Sequence, residues 1–272
     1  MNLNHKVNKN TNKISTVLFI INFLKIFGFG NGVLKKTLFK FLKYFIGNDE
    51  IFYNYHGKKF FLNPLKNSTD SKMIISSRFL EKDELKYLRN INKNSNSVLL
   101  DIGANTGYYS IMAADFGFKK IYAFEPIAET IEKLQQNILI NKLSQKIEII
   151  PKAVGDKNEK KIIYADLENI GNSSMVVKGK NIRKSQIDVV TLATFINEKK
   201  IKDINSIKID IEGYEDKALF PFLNNLVKAQ LPKLIILEHS NYQLWSTDLI
   251  GFLHLKGYEL VNKSRGNSIF QI

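Results

Sequence analysis

The sequence predicts an α/β fold, a mainly parallel sheet with helices on both faces, and three observations lead to it. Apolar, strand-like runs recur at 98–102, 121–124, 147–150, 206–211 and 234–238, with helical patterns between most of them. Such alternation is how βα units wind a parallel sheet. The first run, "VLLDIGANTGYYS", passes from apolar residues to Asp101 and then to Gly103 and Gly107. The second, "KIYAFEP", closes on Glu125, 24 residues beyond Asp101. In open α/β sheets ligands bind beyond the carboxyl ends of the strands, where both acids and the glycine turn fall.

Composition narrows the classes of function. The 272 residues are 44% hydrophobic and 24% charged, an ordinary globular balance long enough for one large domain with an extension. The absence of cysteine excludes a disulfide framework and thiolate metal sites and favours a reducing compartment, so a cytoplasmic location is expected. The net charge of +14 suggests a polyanionic partner, yet only four of the 40 basic residues are arginine. Arginine is the better reader of phosphate forks and base edges, and no nucleic-acid partner is expected. Residues 1–48 hold eight lysines and no acid, so more than half of the charge sits in the first fifth of the chain.

Residues 14–34 hold 13 apolar residues in 21, interrupted by Lys25, two asparagines and three glycines. The uncharged runs are shorter than the ~20 residues a spanning helix needs, and no small-residue cleavage site follows them. "GVLKKTLFKFLKYFIG" gathers Leu34, Leu38, Phe41, Leu42 and Phe45 on one helical face beside Lys35, Lys36, Lys40 and Lys43. That pattern is a basic amphipathic helix. A peripheral membrane contact through residues 14–46, at the inner face, is one expectation, and a solvated lysine face over a packed helix is the other. Residues 51–62, "IFYNYHGKKFFL", read as two short aromatic strands about a turn at Gly57,. "EKDELKYLRNI" reads as a helix with acids at its start,. The expected domains are the extension 1–48, a hairpin and helix over 49–96, and the core over 97–272.

The turn after Asp101 lacks the third glycine of the G-x-G-x-x-G pyrophosphate cradle,. It suits a ligand that brings no phosphate to the backbone. Glu125 is placed to accept both hydroxyls of a ribose, and Asp101 to attract a positive charge. A nucleoside carrying a cation fits both acids, and S-adenosylmethionine, with its sulfonium and amino groups, is such a ligand. Tight-turn packing is the alternative reading of the two glycines, and a plain strand end that of Glu125.

"DIGANTGYYS", "AFEP", "LQQNILINKL", "AVGD", "GNSS", "TLATFI", "IKIDIEGYE" and "LIILEHS" follow one another in an order and spacing that resembles the FkbM-type methyltransferase family. The resemblance covers residues 97–240. It implies a Rossmann-like class I methyltransferase fold with a seven-stranded sheet, and S-adenosylmethionine-dependent O-methylation of a sugar, glycan or natural-product hydroxyl. It also implies that Asp101, Gly103, Asn105 and Gly107 form the methionine-side floor, that Glu125 is the ribose acid, and that Ala153, Val154 and Asp156 lie beside the adenine. The family's aspartate after "TL" is Ala193 here. The last two strands are expected at "YELVN" and "SIFQI", an antiparallel pair in similar proteins, after a helix from Tyr242 to about Lys256.

Methyl transfer to an alcohol needs a base or a metal to take the hydroxyl proton. Strand alternation through "IKIDIEGYE" would send Lys208, Asp210 and Glu212 to one side, and two neighbouring carboxylates raise one pKa unless a cation intervenes. His239 is the one histidine that follows a strand end. Asp210, Glu212 and His239 are therefore the expected catalytic cluster, with His239 or Asp210 as base. No metal is expected, a divalent cation on those three residues being the alternative. Asn137 and Asn141 stand one helical turn apart, and "GNSS" at 171–174 is a candidate lid. The rival functions are a nicotinamide-dependent oxidoreductase and a non-catalytic membrane-surface or glycan-binding module.

Overall fold

A computed structural model describes residues 11–27, 34–46, 50–76, 81–91, 97–166 and 182–272, in two compact units, Met1–Glu81 and Lys82–Ile272. The first unit contains α1 (Thr11–Ile26), α2 (Leu34–Ile46), β1 (Ile51–Tyr55), β2 (Lys58–Leu62) and α3 (Ser68–Ile75). The aromatic hairpin forms as its alternation predicts, paired from Ile51↔Leu62 to Tyr55↔Lys58. Asn67 caps α3, its side chain accepting from Thr69 N and Asp70 N. On α2 the helical spacing of Leu38, Leu42 and Ile46 buries all three, with α1 and α3 as neighbours. Each such side chain contributes about 1.5–3 kcal/mol, and this apolar face of α2 is therefore spent inside its own unit.

The second unit runs α4 (Lys82–Ile91), β3 (Val98–Ile102), α5 (Tyr108–Ala113), β4 (Lys120–Phe124), α6 (Ala128–Ile140), β5 (Ile147–Ile150), β6 (Ala153–Val154), β7 (Glu159–Asp166) and β8 (Ile182–Val190). It continues through α7 (Leu192–Lys199), β9 (Ser206–Ile209), α8 (Glu215–Asn224), β10 (Leu234–Glu238), α9 (Leu249–Leu255), β11 (Glu259–Lys263) and β12 (Asn267–Gln271). Seven strands form one sheet in the order β11-β12-β10-β9-β3-β4-β5. Five of them, β10-β9-β3-β4-β5, are parallel, and β12 runs antiparallel to both β10 and β11. This is the seven-stranded, mainly parallel α/β sheet that the sequence predicts. From β3 the chain goes to β4 on one side and later to β9 on the other, so the carboxyl ends of β3 and β9 flank the switch point where such sheets open a ligand crevice.

Alternating residues of the central strands feed the core. Leu100, Ile102, Ile207, Ile209, Ile235 and Leu237 are buried with Phe195 of α7, Leu219 of α8 and Leu253 of α9. The Phe195 ring meets Phe124 and Tyr122 edge-on at 4.7 and 5.1 Å, a geometry aromatic quadrupoles favour.

Two expectations change, and one sheet was unforeseen. The run 206–211 is strand only to Ile209, because Glu212 takes a φ of +57° and the chain turns there. A separate three-stranded sheet, β6-β8-β7, stands beside the main one; the lysine-rich "EKKIIYAD" of β7 hides its alternation. "GNSS" lies outside the described residues. The helix expected from Tyr242 is a short turn at Tyr242–Leu244 followed, after a break, by α9. The break has a cause: the Asp216 carboxylate accepts from Ser246 N, Ser246 Oγ and Thr247 N at 2.8, 2.9 and 3.2 Å. Those bonds hold the backbone out of helix, and Asp248 restarts it as an N-cap, accepting from Gly251 N at 2.9 Å,.

Candidate active site

The loop after β3 is built by close approach. Its backbone is tied to β4, since Gly103 N and Ala104 N both donate to Phe124 O, at 3.1 and 2.9 Å. A Cβ on Gly103 would lie 1.9 Å from Asp210 O, and one on Gly107 2.5 Å from Leu134 Cδ1 of α6. Both glycines are thus demanded by packing, whatever the loop binds. The fully buried Asn137 of α6 donates from Nδ2 to Thr106 O at 2.9 Å and helps fix the loop's path.

Glu125 closes this loop from β4. Its Oε2 accepts from Asn105 N and its Oε1 from Ile127 N, both at 3.0 Å. Each oxygen has a second lone pair, so the carboxylate can still accept hydroxyl donors. Burial pushes its carboxyl up to about 7 against those two N–H donors. Ala153 and Val154 are buried in β6, whereas Asp156 is exposed. Ala193 is exposed on α7, whose N-cap is Thr191.

Asp101 and Lys208 are cross-strand partners on β3 and β9. Asp101 is fully buried; its Oδ2 accepts from Ser110 N at 3.0 Å and Ser110 Oγ at 2.6 Å. Its Oδ1 has no hydrogen-bond partner and lies 3.7 Å from Lys208 Nζ. Lys208 Nζ donates to Gly103 O at 3.0 Å and stands 3.9 Å from Asp210 Oδ2. A buried lysine thus stands between Asp101 and Asp210, and not between Asp210 and Glu212, the pair for which the sequence called for a cation.

Glu212 belongs to the turn that follows Asp210, and the strand alternation that would align it with Lys208 has ended. Asn241 Nδ2 instead draws its Oε2 to the end of β10, donating at 2.8 Å. The residue that joins Asp210 and Glu212 there is Glu238, which sequence reasoning missed. It is buried, its Oε1 accepts from Ser240 N at 2.8 Å, and its Oε2 has no partner. Burial first, and the nearby charge of Asp210 next, raise its pKa above the usual carboxylate range. The signal was present: Glu238 closes the all-apolar strand "LIILE" as Asp101 closes "VLLD". His239, the next residue, is directed elsewhere, with Nδ1 3.1 Å from Ser268 Oγ on β12. Burial and Lys263 lower its pKa. Among the described residues no three His, Asp or Glu side chains are placed to hold a metal ion.

Glu215, at the start of α8, shapes the same turn. It accepts from Ile211 N at 2.9 Å, from Gly213 N at 3.1 Å and from Trp245 Nε1 at 2.7 Å. Burial outweighs these donors and pushes its carboxyl up to about 7. Between the ordinary carboxylate range and that value the folded chain keeps a proton the unfolded chain has lost. Stability is therefore expected to fall as pH rises from about 5 to about 7 and to level off above, with Glu215 contributing on the order of 2 kcal/mol. Urea unfolding of wild type and Glu215→Gln across that range checks it; an undiminished slope in the variant would assign the proton elsewhere.

A family model, the methyltransferase FkbM domain, matches residues 101–260, more than half of the chain and a range that contains Asp101, Glu125, Lys208, Asp210, Glu212 and Glu238. The chain belongs to the FkbM methyltransferase family. Its fold is accordingly the Rossmann-like class I methyltransferase fold. Similar solved structures include the methyltransferase FkbM from Methylobacillus flagellatus KT, at 16% identity over 65% of this chain and 44% of that one, with a TM-score of 0.43. A tRNA methyltransferase from M. jannaschii matches at 17% identity over 83% of this chain and 57% of its own, with a TM-score of 0.44. M. jannaschii TYW2, solved in complex with AdoMet, matches at 14% identity over 82% and 86%, with a TM-score of 0.38. This FkbM family member thus spans less than two thirds of the first of these structures. Comparison with curated proteins gave no match.

Proposed function

We propose that this FkbM family member is an S-adenosylmethionine-dependent O-methyltransferase acting on a hydroxyl of a sugar, glycan or natural-product acceptor. One observation carries the reading: three carboxylates, Asp210, Glu212 and Glu238, gather at the carboxyl ends of β9 and β10 beside Lys208, and Glu238 Oε2 is buried without a partner. A crevice richer in carboxylates than in cations suits a positively charged cofactor, and an unpartnered carboxylate of raised pKa suits proton abstraction. The donor set fits S-adenosylmethionine. In this reading Glu125 takes the ribose hydroxyls, the Gly103–Gly107 loop forms the floor, and Ala153, Val154 and Asp156 border the adenine.

S-adenosylmethionine supplies a methyl group already activated on a sulfonium. The chain's task is to orient the acceptor and remove its proton. Glu238 Oε2 would take the proton of an acceptor hydroxyl positioned against the sulfonium methyl, the C–S bond breaking to leave the neutral thioether, while Asn241 holds Glu212 in place,. Lys208 fixes Asp210 and Asp101, and Asp101 acts through Ser110 on the start of α5 rather than on a ligand directly. His239 enters as a support of β12.

Calorimetric titration with S-adenosylmethionine and, separately, with a nicotinamide dinucleotide tests the cofactor. Saturable binding of the first alone, weakened about tenfold or more in Glu125→Gln by loss of a charge-assisted acceptor, is expected. Binding of the dinucleotide instead would move the site to hydride chemistry. Transfer of labelled methyl groups to a panel of hydroxylated glycans and natural products then identifies the acceptor.

A further inference from the structure

Helix α1 is apolar on two sides. Val17 and Ile21 are buried, while Phe19, Phe23, Ile26 and Phe27 are between 52% and 79% exposed. At about 100° per residue those four fall within an arc of about 100° on the side away from Val17 and Ile21. They form a continuous stripe, with the Phe23 and Phe27 rings 5.1 Å apart. The lysine within this segment does not interrupt it: Lys25 is drawn to the inner side, where Nζ donates to Ile74 O at 2.8 Å.

The companion helix supplies charge. With Leu38, Leu42 and Ile46 turned inward, the outer face of α2 carries Lys36, Lys40, Lys43 and Tyr44, all exposed. Residues 1–48 contain no acid, so nothing on these helices neutralises them. α1 has 16 residues, and among the described residues no helix is long and apolar enough to cross a membrane. An apolar stripe on a helix too short to span, packed beside a lysine-faced helix, matches the chemistry of an anionic lipid surface: aromatic and aliphatic side chains enter the acyl boundary and ammonium groups meet headgroup phosphates. A second copy of the chain is the poorer occupant, because it would bring an equally basic surface against this one.

We propose that α1 and α2 dock this protein on an anionic bilayer, with Phe19, Phe23, Ile26 and Phe27 seated in the interface and Lys36, Lys40 and Lys43 drawing the unit to the headgroups. The apolar contact is thus made by α1, and not by the α2 face that the sequence pattern singles out, which is occupied within the unit. The inference is independent of methyl transfer.

Vesicle sedimentation of the full chain tests it, using phosphatidylcholine alone and phosphatidylcholine with about one-third phosphatidylglycerol, at about 0.1 and 0.5 M salt. Wild type is expected to bind the anionic vesicles and to be released by salt. The combined Phe19→Ser, Phe23→Ser and Phe27→Ser variant, altered at exposed positions and checked for unchanged circular dichroism, is expected to bind about tenfold more weakly or less. Lys36→Ser with Lys40→Ser and Lys43→Ser is expected to lose about tenfold or more and most of the salt dependence. Absence of wild-type binding to anionic vesicles, or binding that neither variant changes, overturns the proposal. So does sedimentation velocity showing a dimer that the phenylalanine variant dissolves, which would assign the stripe to self-association.

Discussion

Glu238→Gln is expected to slow methyl transfer by about 10²–10⁴-fold, the usual worth of a positioned general base, while leaving S-adenosylmethionine affinity within about twofold. The amide keeps the shape and still accepts from Ser240 N through one oxygen, so the fold is expected to survive. It cannot take a proton. Single-turnover rates at saturating cofactor, alongside calorimetric affinity, separate these effects. The wild-type rate is expected to rise with pH through a value above the usual carboxylate range, because burial and Asp210 hold the Glu238 proton on and the base works only once it is lost. His239→Ala is the control. If it abolishes transfer while Glu238→Gln does not, the imidazole is the base and the carboxylate cluster is an electrostatic support.

Gly103→Ala is expected to cost about 4 kcal/mol or more, or to leave no folded protein. The residue has a φ of +76°, and its added Cβ would stand 1.9 Å from the backbone oxygen of Asp210. A side chain could swing aside, but this neighbour is main chain, and Asp210 N itself donates to Ile102 O at 3.0 Å. Relief would require β3 and β9 to part at the switch point. Gly57→Ala isolates the backbone contribution, since Gly57 has a similar φ of +83° and nothing within 4 Å of its Cβ position; it is expected to cost about 1–2 kcal/mol. Equal urea midpoints for the two variants would show that the close approach is not what Gly103 serves.

Much of the core was legible because its strands are short and uniformly apolar. "VLLDI" and "LIILE" are buried on both faces, and such runs resist any other reading once helices alternate with them. The same logic failed at "IKIDIEGYE". Period-two alternation presumes extended backbone, and Glu212 adopts a left-handed conformation that no pattern of apolar residues announces. β7 was hidden because its surface lysines mask the pattern, and the break after Leu244 because its cause, Asp216, lies 30 residues earlier in the chain.

The sequence by itself determined where the main-sheet strands lie along the chain, the glycine turn after Asp101, the acid at the end of β4 and the concentration of lysine before residue 48. These are local features, written in composition, spacing and periodicity over a few residues. Only the tertiary structure decided which groups meet. It placed Lys208 between Asp101 and Asp210, brought Glu238 rather than His239 to the carboxylates, and turned one apolar face of the N-terminal helices inward and another outward. Such choices depend on strand register, on which lone pairs remain unpaired after folding and on which surface the rest of the unit covers. Those are sums over residues far apart in the chain, and short-range patterns do not contain them.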